Sequence, residues 1–271
     1  MDPQRIPRRE PLRLAAAGLV SGMASACGMG RMSDELTADP AAARLLHASG
    51  RILARPSTVA LPADGPHGLL PLGLSDSERD GVIYFPSASR KDAPSPLLLV
   101  LHGATGSGRQ AIRRLESLAE ERGVVLLAPD SRAYTWDIVL GRFGPDVEFI
   151  DRALARVFAR RRVDPARVAI GGFSDGASYA LSLGLANGDL FSQVIAFSPG
   201  FVAEVNPRGA PRLFVSHGTR DEILPIETCG RRIVNETRGL GYDVRFVEFG
   251  GGHEVPPDVA EAAMDWLLTS A

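Results

Sequence analysis

From Gly81 onward the chain alternates between short unbroken apolar runs and segments whose apolar residues recur every three or four positions. The runs GVIYFP, LLLVLHG, VVLLAPD, RVAIGGF, QVIAFSP, RLFVSHG and DVRFVEFGGGH read as strands. Between them, RQAIRRLESLAEERG (ending at Gly123), DVEFIDRALARVFARR, SYALSLGLANG, IETCGRRIVNETRG and PPDVAEAAMDWLLTSA carry helical spacing. Several strands are apolar throughout, with no in-out alternation, as burial on both faces of a parallel sheet requires. Short buried strands separated by helices predict an α/β fold, a doubly wound, mostly parallel sheet with helices on both faces. Ligands of such sheets bind beyond the carboxyl ends of the strands, so the loops that follow the strands are where chemistry is expected.

The chain before Gly81 is different. Residues 33–80 are rich in Ala, Pro, Gly and Ser with little period, and read as a short helix around Ala41 to His47, a linker and an arm laid over the domain. Residues 1–32 begin basic, pass through a small-residue and apolar stretch from Leu12, and reach Ala24-Ser25-Ala26 before Cys27. That is the layout of an export signal. Arg8-Arg9 resembles a twin-arginine signal, and Cys27 resembles a lipoprotein attachment point, although Ala24 stands where that pattern has leucine. A periplasmic, secreted or lipid-anchored protein is expected, the alternative being a disordered tail on a cytoplasmic protein. The main folded domain is expected over residues 81–271.

The 271 residues carry a net charge of −2 with 45% apolar content, enough for one large core. No basic cluster points to nucleic acid as a partner. Only Cys27 and Cys229 are present, which gives neither a disulfide framework nor a thiolate metal site.

The chemistry-bearing stretches sit on strand ends. Gly172-Phe173-Ser174-Asp175-Gly176 matches G-x-S-x-G between a strand and a helix, the nucleophile-elbow setting. Its turn is too tight for side chains at the two glycines, and the helix that follows points its N-terminus at any oxyanion formed there. A serine hydroxyl needs a base. Of five histidines, His253 follows the last strand on the glycine-rich loop FGGGHEVPP. An acid must orient that imidazole, and Asp221 in FVSHGTRDEILP lies after a strand, between the serine and the histidine in chain order, with Glu222 as its chief rival. His217 is read as structural. The oxyanion donors are expected to be the N–H groups of Asp175 and of Ala104, the latter in LLLVLHGATGSG, where His102 braces the loop. No Lys-Ser or Lys-Thr pair follows that glycine-rich loop, which excludes a P-loop. In PDSRAYTWDIVLGRFGPD, Tyr134 and Trp136 either line a substrate pocket or pack the loop onto the sheet, and Arg132 either meets an anionic group or is exposed.

In the order LHGATGSG, GGFSDGAS, SHGTRDEILP and GGGHEVPP, the chain from about Gly81 resembles α/β-hydrolases of the phospholipase/carboxylesterase group, close to polyhydroxybutyrate-depolymerase-like and dienelactone-hydrolase-like esterases. The resemblance implies hydrolysis of small to medium carboxylic esters without a cofactor. Dienelactone hydrolases proper carry cysteine where Ser174 stands, so their lactone activity does not follow. A lysophospholipase or thioesterase, a peptidase and a catalytically silent binding protein of the same fold are the rival readings.

Overall fold

Each residue of LLLVL, from Leu97 to Leu101, is buried, and the pleat divides them between two cores. Leu97, Leu99 and Leu101 face one side of the sheet, and Leu98 and Val100 the other. The computed structural model describes residues 39–57, 65–87 and 93–269. The export-signal reading of residues 1–32, with Cys27, lies outside them.

The strands are β1 (Gly68–Pro71), β2 (Gly81–Phe85), β3 (Ser95–Leu101), β4 (Val125–Pro129), β5 (Val163–Phe173), β6 (Gln193–Phe197), β7 (Arg212–Gly218) and β8 (Val244–Phe249). They form one sheet in the order β1-β2-β4-β3-β5-β6-β7-β8. β1 and β2 enter antiparallel, and every neighbouring pair from β4 to β8 is parallel. The helices are α1 (Pro40–Ala48), α2 (Gly108–Ile112), α3 (Glu116–Arg122), α4 (Pro145–Phe158), α5 (Asp175–Ala186), α6 (Gly230–Gly239) and α7 (Pro257–Leu268). Apolar residues of α4, α5 and α6 fill the core with Leu97 and Leu99, and those of α2, α3 and α7 fill the core with Leu98 and Val100. Helices thus cover both faces, which is why the central strands could not alternate. None of the helices among the described residues is long and apolar enough to cross a membrane.

Three of the differences from the sequence reading change the layout of elements. The helical run 109–123 is two helices, joined by a turn in which the Leu115 N–H donates to the Ile112 carbonyl (2.9 Å). The turn keeps Ile112, Leu115 and Ala119 all against the sheet. The run 226–239 becomes helical only at Gly230, because the Pro225 carbonyl takes the N–H groups of Thr228 and Cys229 in a preceding turn. The sheet begins at Gly68 rather than Gly81, so part of the arm is integral: β1 pairs with β2, and Ile52 and Leu72 are fully buried.

The arm also explains α5, which is apolar nearly all round and buried from Gly176 to Ala186. A helix with no polar face needs cover on every side. At its carboxyl end the Asn187 side chain accepts from the Ile52 N–H (2.9 Å) and donates to the Gly50 carbonyl (2.7 Å). Arg51 reaches the Ala186 carbonyl (2.5 Å) and pairs with both carboxylate oxygens of Asp189 (2.9 and 2.8 Å).

Candidate active site

Ser174 follows directly on β5 and opens α5 with φ 58° and ψ −120°, a conformation that a non-glycine residue adopts only under constraint. The constraint is visible at the flanking glycines. A Cβ on Gly172 would lie 2.4 Å from the Gly176 carbonyl oxygen, and one on Gly176 would lie 2.4 Å from that of Leu101 and 2.5 Å from that of His102. Those neighbours are backbone and cannot yield. The Ser174 N–H is held by the Phe197 carbonyl of β6 (3.0 Å), which fixes the turn against the sheet.

Ser174, His253 and Asp221 come from the ends of β5, β8 and β7 and meet in one line of hydrogen bonds. His253 Nε2 is 2.9 Å from Ser174 Oγ, and His253 Nδ1 is 2.7 Å from Asp221 Oδ2. A carboxylate can only accept, so Nδ1 carries the proton and the Nε2 lone pair faces the serine hydroxyl. The imidazole also leans on the Phe173 ring, with centroids 4.7 Å apart. The other oxygen of Asp221 accepts from the N–H groups of Ile223 (3.0 Å) and Leu224 (2.8 Å). Burial pushes the Asp221 carboxyl up, but the Leu224 N–H and His253 outweigh it and hold the group below the usual carboxylate range. Glu222 is exposed beside it and takes no part in this line.

The two proposed oxyanion donors flank the serine. Among the described residues, neither the Ala104 N–H nor the Asp175 N–H donates to a backbone carbonyl, whereas the adjacent Thr105 and Ser174 N–H groups do. A Cβ on Gly103 would stand 3.4 Å from Ser174 Cβ, so the loop after β3 lies directly on the elbow. His102 braces that loop. Its Nδ1 donates to the Gly103 carbonyl (2.7 Å), and its Nε2 accepts from the Ser131 N–H (3.0 Å). Burial lowers its proton affinity, with the nearby Arg79 adding to the effect, in keeping with a neutral ring.

His217 is structural but not remote. It is fully buried, its Nε2 donates to the Leu224 carbonyl (2.7 Å), and that nitrogen lies 3.3 Å from Asp221 Oδ2. Burial lowers its proton affinity too.

The loop after β4 corrects one sequence reading. Trp136 does not line a pocket: it is fully buried, its Nε1 donates to the His102 carbonyl (2.8 Å), and its ring packs between His102 and Tyr179. Tyr134 is 61% exposed, and its carbonyl accepts from the Thr105 N–H (2.7 Å). Arg132 is committed to the protein, donating to the Asp130 carbonyl (2.8 Å) with its guanidinium stacked 3.5 Å from the Phe149 ring centroid.

Sequence reasoning missed what holds this loop. Asp146, at the start of α4, accepts from the N–H groups of Arg132 (2.5 Å) and Asp137 (2.7 Å), and Asp137 accepts from the Asp146 N–H (2.9 Å). Burial, reinforced by the neighbouring Asp146, pushes the Asp137 carboxyl up to about 6. A pocket of about 300 Å³ opens beside this pair, lined in part by Arg132, Leu140, Arg142 and Phe143. Thr135, also missed, donates its hydroxyl to the Asp175 carboxylate (2.6 Å). A glycine-flanked serine advertises itself by spacing, whereas Thr135 and Asp146 have no such local signature. No group of His, Cys, Asp and Glu among the described residues could hold a metal ion. Cys229 is a buried free thiol that burial pushes up.

Residues 147–270 match the family described as Phospholipase/Carboxylesterase. The chain is 31% identical over 153 residues to NocK of Nocardia uniformis subsp. tsuyamanensis, named as a candidate esterase, covering 52% of this chain and 44% of that protein. It is 35% identical over 104 residues to acyl-protein thioesterase 1 of Gibberella zeae, covering 35% of this chain and 44% of that protein. The matches therefore span less than half the length of either relative. Among solved structures, esterase PE8 aligns with a TM-score of 0.57 at 24% identity, covering 70% of this chain and 98% of that one. The Bacillus cereus carboxylesterase aligns with a TM-score of 0.53 at 19% identity, covering 71% and 94%. At these identities the two structures speak for the α/β-hydrolase fold.

Proposed function

From a chain with the α/β-hydrolase fold, whose residues 147–270 match the Phospholipase/Carboxylesterase family, we propose a serine hydrolase that cleaves small to medium carboxylic esters through an acyl-enzyme. The observation that carries the reading is the unbroken line from Ser174 Oγ to His253 Nε2 (2.9 Å) and from His253 Nδ1 to Asp221 Oδ2 (2.7 Å). His253 takes the Ser174 proton as the oxygen attacks the ester carbonyl. Asp221 stabilises the imidazolium that results, with its second oxygen already held by two backbone amides. The tetrahedral oxyanion rests on the N–H groups of Ala104 and Asp175, and collapse expels the alcohol, which leaves with the proton from His253. Water then repeats the cycle and frees the acid. General acid–base help of this kind is worth roughly 100- to 10,000-fold, and a single oxyanion donor about 3 kcal/mol.

Substrate size follows from the loops. β6 and β7 are joined by residues 198–211 without a helix between them, so no helical lid is inserted there. That favours accessible esters over long buried lipid chains. Likeness to an acyl-protein thioesterase favours one second reading, hydrolysis of acyl thioesters by the same residues. Turnover of short p-nitrophenyl esters against the matching acyl thioesters separates the two. Ser174→Ala is expected to lower ester turnover by about 10⁴- to 10⁶-fold with the thermal midpoint unchanged, and a fluorophosphonate should label Ser174 alone. Near-normal turnover by that variant removes the assignment.

We also propose that residues 1–32 export the protein, with Cys27 as a lipid attachment point. Fractionation of cells carrying the full chain and its Cys27→Ser variant is expected to find the full chain in the membrane fraction and the variant soluble outside the cytoplasm.

A further inference from the structure

Three successive residues of the loop after β4 grip both sides of the oxyanion site. Tyr134 offers its carbonyl to the Thr105 N–H (2.7 Å), Trp136 donates Nε1–H to the His102 carbonyl (2.8 Å), and Thr135 donates its hydroxyl to the Asp175 carboxylate (2.6 Å). The first two bonds flank Ala104 on either side in the chain. The third ends on the residue that carries the other donor. Further along, the mutual bonds of Asp137 and Asp146 tie the run to the start of α4.

Resting on the serine-hydrolase reading, we propose that Tyr134-Thr135-Trp136 is a brace that sets the spacing of the two donors, and that Thr135 is a positioning residue acting through Asp175. Thr135 is 1% exposed. A buried hydroxyl costs free energy unless it is hydrogen-bonded, and valine would fill the same space without that cost. The hydroxyl therefore has a task that the loop's own packing does not set. Asp175 supplies an N–H to the developing oxyanion while carrying a negative charge on its side chain. A carboxylate left to turn toward that oxyanion would oppose it. The short charge-assisted bond to Thr135 keeps the carboxylate turned into the loop and disperses part of its charge.

The test is steady-state hydrolysis of p-nitrophenyl acetate and butyrate. Thr135→Val is expected to lower kcat about 10-fold with little change in KM, short of the 100- to 1,000-fold that loss of a whole donor costs. Thr135→Ser, which keeps the hydroxyl, is expected to stay within about threefold of the parent. Thr135→Val combined with Asp175→Asn is expected to regain most of the lost kcat, because the charge that needed restraint is gone. A structural defect of the loop would show no such recovery. Thermal midpoints identify a variant that fails to fold, and Thr135→Ala, which relieves crowding, then replaces valine. The proposal is overturned by a parental kcat in Thr135→Val, by failure of serine to restore it, or by a loss that persists undiminished in the double variant. Ser174→Ala in the same assay separates the two levels. Turnover surviving there removes the hydrolase reading, whereas a dead Ser174→Ala beside an unaffected Thr135→Val removes the brace alone.

Discussion

Two loops at the carboxyl edge of the sheet are held by opposite means. The elbow at residues 172–176 is fixed by sterics: its own backbone and that of Leu101 and His102 leave no room for a methyl group at either glycine, and Ser174 is forced to a positive φ. The loop at residues 130–146 is fixed by hydrogen bonds, some to its own Asp146 and others across the site to Asp175 and the His102 carbonyl. A steric constraint has no partial state, while a hydrogen-bonded loop distributes its restraint over many contacts. The elbow should therefore fail all at once and the loop by degrees.

The largest expected effect is at the elbow. Gly176→Ala places a methyl group 2.4 Å from a backbone oxygen, and is expected to cost about 3 kcal/mol of stability together with at least 100-fold in ester turnover, read by denaturant unfolding and kcat. Full retention of both would mean that the elbow is looser than its geometry implies. Trp136→Phe keeps a ring but strands the buried His102 carbonyl, and is expected to cost about 2 kcal/mol in the same unfolding measurement.

Asp137 gives a smaller effect with a definite sign. Its carboxyl is pushed up to about 6 by burial and by Asp146, above an unfolded value near 4. The folded state thus holds a proton that the unfolded chain releases, and stability from this group is lost as pH rises through 6. Asp137→Asn, which never ionises, is expected to melt a few degrees above the parent at pH 8 and level with it at pH 4. A gain that is the same at both values would contradict the assignment. The smallest effect is expected at Tyr134→Ala. The side chain is exposed and the carbonyl that holds Thr105 remains, so stability should move by less than about 0.5 kcal/mol. Only KM for bulky apolar esters is expected to rise, and by a few-fold.

The same contrast explains what could be read from the chain. Unbroken apolar strands and helical spacing predicted the layered sheet, because burial on both faces runs the whole length of β3, β4 and β6, through Val168–Gly172 of β5 and through Leu213–Gly218 of β7. Gly172, Ser174 and Gly176 were legible because a turn this tight marks itself by the spacing of glycines around a serine. Asp221 and His253 were legible by position, each on a loop that follows a strand. β1 was not legible: four residues at an edge, GLLP, carry too short a pattern to separate from the arm. Trp136 could be read either as lining or as packing, because an aromatic residue near a strand end serves both, and only its bond to His102 decides. Thr135, Asp137 and Asp146 were missed because their partners are spatial, and nothing in their spacing marks them.

The arm has one more consequence. Arg51 and Ile52 seize α5 at its carboxyl end, whereas Ser174 stands at its amino end, and 12 residues of helix put about 18 Å between them. A load carried by the chain at Arg51 and Ile52 would enter α5 at the pole away from the serine, and the elbow would lie at the far end of the helix.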